Sequence, residues 1–290
     1  MVLRLVFRVL YSDAHLHVNP VRGYGAEKIA KKFRNQGGWF MAFASLPPHY
    51  YGLSGLNVES YRKVIELINK EAAKAREIGL QVARFAGIHP AEIDNYYRQG
   101  LRPDKILELV DQVLKVLEES LRNNLIDGIG EVGRQHYTTS PERVVLSEII
   151  MVNALALARD YDALVQLHLE QGGAATARSI SMLAELVGFK PCRVIMHHTK
   201  LETAIWANNY NLPFTAPIKY FDEKYASYTW KYCMIESDFL DDPTRPGTSA
   251  YPWEIPVVIE EHIKRGVLDE DRVYKFLVDN VVKCFGVTPP

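Results

Sequence analysis

Residues 163–200 read ALVQLHLEQGGAATARSISMLAELVGFKPCRVIMHHTK. Two short runs rich in Leu, Val and Ile, at 163–170 and 192–198, bracket a longer stretch with helical spacing. The strand candidates mostly run apolar without alternation, although Gln166, His168 and Glu170 interrupt the first of these two. Near-continuous apolar runs are the mark of parallel strands covered on both faces. Each also ends in histidine: His168 in the first, His197 and His198 in the second.

The same unit recurs in both directions. Further strand candidates lie at 5–13, 39–45, 81–89, 127–133, 213–217 and 233–238. Between them the period changes to that of a helix. Residues 57–78 carry Val58, Tyr61, Ile65, Ile68 and Ala72 on one face, with Gly79 where a helix terminates. Residues 103–121 repeat Ile106, Leu109, Val110, Val113, Leu114 and Leu117. Ser140 before Pro141 predicts an N-cap and first turn for a helix to about Arg159, and a last helix is expected over 271–285, before Gly286. Eight strand–helix alternations predict an α/β fold, a (β/α)8 TIM barrel, formed by residues 1–290 as one domain. A doubly wound open sheet shares the alternation and is the structural rival. Two longer loops stand out, 46–55 and 239–253.

Composition excludes several classes. Hydrophobic residues make up 48% and charged residues 24%, enough to build a globular core. With 34 Lys+Arg against 35 Asp+Glu the net charge is −1, so no global field attracts nucleic acid or an anionic membrane. The three cysteines, Cys192, Cys233 and Cys284, form no CxxC pair, against a disulfide framework or a thiolate zinc site. The opening MVLRLVFRVL is interrupted by Arg4 and Arg8 and is followed by no signal-cleavage pattern. No run approaches the roughly 20 apolar residues of a membrane span. A soluble, cytoplasmic protein with no membrane contact is expected. No Walker loop, GxGxxG unit or GxSxG elbow is present.

Of the nine histidines, His15, His17, His89, His168, His197 and His198 fall at predicted C-terminal strand ends, which in a barrel form one rim. Residues i and i+2 of a strand face one side, so His15 and His17 can reach one ion or be two solvated or core histidines near a turn. Asp13 suits either an acceptor orienting a histidine or a strand-end cap. Glu131, in GEVG, sits where core packing does not explain a carboxylate; it suits a bridge between cations, a helix cap or a salt bridge with Arg134. Strand alternation predicts that only one of His197 and His198 enters the mouth. Glu236 shares the parity of Asp238, an expensive buried pair unless a metal or a proton compensates. His136 follows Glu131 closely, and Tyr50 and Tyr51 stand on a rim loop. Nitrogen and oxygen donors suit zinc, manganese, iron, cobalt or nickel, and a metal-activated water whose proton Asp238 takes.

In order, SDAHLH, GIHP, GEVG, LHLE, VIMHH, ESD and DNVVKCFG resemble the motif series of the TatD family of metal-dependent hydrolases, within the amidohydrolase superfamily. The likeness runs from about Ser12 to Gly286 and is closest to a divergent TatD-related branch. It implies one or two divalent cations (Zn, Mn, Mg, Co, Fe or Ni), with His15 and His17 on one and His168 and His197 on the other. Glu131 would bridge them, and Asp238 would be ligand and general base. His197 matches the family's sixth-strand histidine better than His198, and His89 matches one expected near substrate. The activity implied is deoxyribonuclease action on single-stranded or nicked DNA ends, with Arg134, Arg245 and Lys200 as candidate phosphate contacts and His198 at the substrate. Departures fall at Arg134 and Gln135 in place of GLD, at Leu169 and Glu170, and at His198, Thr199 and Lys200. They leave open a small-molecule amide, lactone or phosphoester as substrate, or a catalytically silent binding barrel.

Overall fold

The computed structural model describes residues 9–290, so residues 5–8 of the first expected strand lie outside the described residues. Eight parallel strands run in sequential order: β1 Tyr11–His17, β2 Gly38–Ala44, β3 Gln81–Ala86, β4 Gly128–Gly133, β5 Leu164–His168, β6 Val194–Met196, β7 Phe214–Pro217 and β8 Cys233–Glu236. Helices follow the strands: α1 Gly25–Arg34, α2 Val58–Glu77, α3 Pro90–Arg98, α4 Pro103–Arg122, α5 Pro141–Asp160, α6 Ala174–Leu186, α7 Leu201–Asn209, α8 Glu223–Ser227, α9 Glu254–Lys264, α10 Glu270–Tyr274 and α11 Asn280–Phe285. The result is a nearly closed (β/α)8 barrel, and the open-sheet rival fails.

The seam between β8 and β1 explains how closure is reached. It is held beyond the end of β8, where Asp238 N–H donates to His15 C=O at 3.1 Å and His17 N–H to Phe239 C=O at 2.7 Å. Asp13 accepts from Ser237 N–H and Oγ–H at 2.9 and 2.5 Å. Its role is therefore to stitch the seam rather than to orient a histidine ring. Burial pushes its carboxyl up to about 7, against the Ser237 and His15 hydrogen bonds that pull the other way.

Several strand starts and ends differ from expectation. β1 reaches His17, four residues past the expected end, and all seven of its residues are buried. β6 keeps only Val194–Met196, after a 3-10 turn at Pro191–Arg193. Asn57 caps α2 by accepting from Ser60 N–H, as a helix start requires. Ser140 occupies the cap position of α5, but its hydroxyl donates to Glu142 at 2.8 Å instead of accepting a backbone N–H. The last expected helix spans α10 and α11, joined by a π-helical turn at Lys275–Asp279 whose Leu277 C=O accepts from the Trp39 indole at 3.0 Å. Among the described residues no helix is long and apolar enough to cross a membrane.

Candidate metal centre

The HLH of β1 carries the centre's first donors. His15 Nδ1 lies 2.8 Å from Gln166 Oε1, while Gln166 Nε2 donates to Ala14 C=O at 2.9 Å. A carbonyl only accepts, so the amide orientation is set and the His15 proton sits on Nδ1. His17 Nδ1 likewise donates to Ala44 C=O at 2.9 Å. Both rings therefore turn a bare Nε2 lone pair to the barrel axis. His15 Nε2 is buried and has no hydrogen-bond partner.

Acidic oxygens face those lone pairs. His15 Nε2 lies 3.7 Å from Glu131 Oε1 and 3.9 Å from Asp238 Oδ1. His17 Nε2 lies 3.4 Å from Glu131 Oε2 and 3.9 Å from the same Asp238 oxygen. Burial drives the His15 pKa down to about 3 despite the Glu131 charge, so the ring is neutral at pH 7. Acceptors facing acceptors repel unless a cation lies between them. Donors bonded to zinc at 2.0–2.2 Å in a tetrahedron are about 3.3–3.6 Å apart, so this spacing fits a divalent ion.

Glu131 is delivered by a strand end that only glycine permits. A Cβ on Gly130 would stand 2.9 Å from Gln166 Cβ, and Gly133, at φ +144°, would place one 2.0 Å from His168 C=O. β4 thus closes on β5 and carries Glu131 inward. His197 Nε2 and His168 Nδ1 lie 2.6 and 3.1 Å from Glu131 Oε1, and 3.0 Å from each other. Burial works to raise the Glu131 carboxyl. The surrounding His197, His89 and His17 and the hydrogen bond from His168 outweigh it and hold the group well below the usual carboxylate range.

Alternation stops where the strands stop. β6 ends at Met196, and His198 has φ +41°, so its ring turns back beside His197, with centroids 4.1 Å apart. Both histidines enter the mouth, contrary to the parity reading. Asp238 has φ +53° and reaches the cavity with 35% of its side chain exposed. Glu236 stays wholly buried, accepting from His198 N–H at 2.7 Å and Thr215 O–H at 2.5 Å. Burial first, then neighbouring carboxylates (Glu131 and Asp13 for Asp238; Asp238 and Asp13 for Glu236), pushes both acids well above the usual range. A cation held at the donor set would reverse that pressure on Asp238.

Two cavities flank the donors. One, of about 370 Å³, is lined by His136, His168, His198, Lys200, Tyr220 and Asp238, among others. The other, of about 400 Å³, includes His89, Arg98, Glu131, Asp238, Arg245 and Tyr50. His89 caps α3, its Nδ1 accepting Ala91 N–H at 3.0 Å, so the proton stands on Nε2, facing His168 and Glu131. Arg134 lines neither cavity. Its guanidinium is forked onto Glu170 at 2.8 and 3.0 Å and also meets Glu148 at 3.0 Å, which occupies it as a structural cation rather than a free phosphate contact. Its pairing with Glu131 is likewise absent among the described contacts. Tyr51 is buried, whereas Tyr50 O–H accepts from Arg245 at 2.9 Å.

Sequence reading missed Gln166, Arg98 and Lys219. Gln166 carried a signal: a lone amide in an apolar strand, two residues from His168 and so on its face. Arg98 ends α3 with no local mark; among the described residues it has no hydrogen-bonded or ionic partner. Lys219 donates to Gly247 and Thr248 carbonyls, tying loop 239–253 to the mouth.

The parallel strands, with imidazoles and carboxylates converging at their C-terminal rim, define a (β/α)8 barrel whose mouth carries residues able to hold a divalent metal. Residues 12–286 match the family model of TatD-related DNases, and the chain belongs to that family. An uncharacterized protein of Methanocaldococcus jannaschii, MJ1127, is 30% identical over 279 residues, covering 95% of each chain. Among solved structures, the TatD-like protein of Archaeoglobus fulgidus aligns with TM-score 0.66 at 19% identity, over 96% of this chain and 100% of that one. The TatD homolog YjjV of Escherichia coli gives 0.66 at 15%, over 96% and 98%. The phosphotriesterase homology protein of Escherichia coli, complexed with phosphate in its active site, gives 0.63 at 14%, over 96% and 99%.

Proposed function

We propose that this TatD-family chain hydrolyses phosphodiesters with one or two divalent cations, releasing nucleotides from the ends of single-stranded or nicked DNA. The observation that carries the reading is the acceptor-lined void between His15 Nε2, His17 Nε2, Glu131 and Asp238, at separations of 3.4–3.9 Å. These four would hold the inner cation, with His168 and His197 completing the set through Glu131 Oε1. Bound divalent cations supply Lewis acidity toward a phosphoryl oxygen and make water a stronger acid. Asp238, exposed to both cavities, is positioned to accept the proton of the attacking water and return it to the leaving oxygen. His89, with its proton on Nε2, donates to a substrate oxygen. Arg98 and Arg245 on one side and Lys200 on the other give phosphates either side of the scissile bond a cationic partner.

The second reading is a small anionic or lactone-like substrate. It is favoured by cavities of about 370 and 400 Å³ and by the loss of Arg134 to Glu170. Solved barrels of similar fold include an organophosphorus hydrolase and a lactonase of Deinococcus radiodurans. End-labelled single-stranded DNA, incubated with metal-loaded protein and with the Asp238→Asn variant, separates the two. Release that requires both divalent metal and Asp238 supports the nuclease; bound metal without release makes the small substrate the leading reading. Asp238→Asn is expected to keep most of its metal and lose at least about 100-fold in turnover. His15→Ala is expected to lose metal while keeping its fold, read by elemental analysis and circular dichroism.

A further inference from the structure

His136 and His198 have no part in the six-residue donor set, yet both face it. His136 Nδ1 lies 2.7 Å from His168 Nε2, and the ring centroids are 4.7 Å apart. The His198 ring packs 4.5 Å from His168 and 5.5 Å from His136. One ring nitrogen from each of the three lies within 4.8 Å of the other two. His198 Nε2 donates to Leu169 C=O at 3.2 Å, which leaves its Nδ1 as a lone pair, 3.0 Å from His197 Nε2 on the border of the inner donor set. The loop bearing His136 is pinned by Asp94, which accepts from Tyr137, Thr139 and Arg143 at 2.6–2.8 Å. The trio opens on the cavity of about 370 Å³ beside Lys200.

We propose that His136, His168 and His198 form a separate, all-imidazole seat for a divalent transition metal, open on its cavity side. The proposal rests on the metal-dependent reading above and extends it. His168 turns Nδ1 toward Glu131 and Nε2 toward His136, so as a neutral ring it serves one side at a time. With a metal on Nδ1 its proton stands on Nε2 and bonds His136. With a metal on Nε2 the proton stands on Nδ1 and bonds Glu131 Oε1 at 3.1 Å. The second cation therefore has two alternative seats that differ in chemistry. The inner one, with His197, contains a carboxylate oxygen and accepts Mg²⁺ or Mn²⁺. The outer one contains nitrogen alone and selects Co²⁺, Ni²⁺ or Zn²⁺. Its open position faces Lys200, where an anionic oxygen of substrate can complete the coordination.

The test is titration of the metal-free full chain with Co²⁺, followed by visible absorption, and with Mn²⁺, followed by paramagnetic resonance. In the wild type two Co²⁺ ions bind per chain. His136→Ala and His198→Ala are each expected to weaken the second Co²⁺ at least 10-fold and change its spectrum, while Mn²⁺ binding and the first Co²⁺ are unchanged. Unchanged Co²⁺ affinity and spectrum in both variants would overturn the outer seat and leave the inner centre standing. Equal losses of Mn²⁺ and Co²⁺ would overturn it too, because the two histidines would then support the inner centre. His15→Ala serves as the separate control: if it leaves the first ion in place, the underlying reading fails instead.

Discussion

Gln166 shows how a single neutral side chain can set the chemistry of a charged site. It bridges Ala14 C=O and His15 Nδ1, so it decides which His15 nitrogen faces the donor set. Gln166→Leu keeps a similar volume but leaves the His15 ring free to present either nitrogen. Metal affinity is expected to fall about 10–100-fold, measured by competition with a chelator, with turnover restored at saturating metal. An unchanged affinity would show that packing alone holds the ring. His198 and Asp238 work differently. Each takes a left-handed backbone, at φ +41° and +53°, two residues beyond its strand, and His198 thereby reaches the mouth against strand parity.

At the scale of elements, the start of α3 joins the site to the barrel wall. Glu92 accepts from His89 N–H at 3.1 Å and from Tyr61 O–H at 2.5 Å, which fixes the cap residue His89 over the cavity. Burial raises the Glu92 carboxyl from 4.5 to about 7, although its hydrogen bonds from Tyr61, His89 and Tyr96 oppose the shift. Below the unfolded value both states hold the proton and no penalty arises. As pH rises from about 4.5 to 7 the unfolded chain gives up that proton first. The native state then binds more protons than the unfolded one, and stability falls by about 3 kcal/mol in all from this group. Glu92→Gln removes that dependence. Urea unfolding at pH 5 and pH 8 is expected to show the variant gaining on the wild type as pH rises; parallel curves would mean Glu92 ionises normally. Loop 239–253 is a second such element. Its Asp241 accepts backbone N–H groups of Asn19, Tyr24 and Gly25, and Lys32 lies 3.6 Å over the Trp253 ring, so the loop is fastened to α1 beside the mouth.

For the molecule as a whole, a net charge of −1 means that attraction for a polyanion must come from the rim and not from a global field. Arg98, Arg245 and Lys200 line the two cavities beside the donors, Arg245 while paired with Asp242 at 2.9 Å. If three phosphates are neutralised on binding single-stranded DNA, the plot of log affinity against log salt has a slope of about −2. Arg98→Ala is expected to reduce that slope by about 0.7 and to weaken binding of DNA of any sequence alike. A slope near zero would remove an extended nucleic acid as substrate and leave a small molecule held by the donors themselves.

Much of this was legible in the chain before folding. The alternation of apolar runs with helical stretches required parallel strands between helices, because a strand covered on both faces has no use for polar residues. The positions of His15, His17, Glu131, His168, His197 and Asp238 at strand ends followed from the same reading, since strand ends of a barrel share one rim. What lay outside local sequence was everything that depends on residues distant along the chain. Gln166 meets His15 across 151 positions and Asp13 closes the seam with Ser237 across 224. Arg134 looked like a free cation until Glu170 and Glu148 were brought to it. His198 looked excluded by parity until β6 stopped at Met196 and the backbone turned. Periodicity reports the environment of each residue averaged over its own element. Which lone pair faces which oxygen, and which charge is already taken, is decided by the closure of eight strands into a ring.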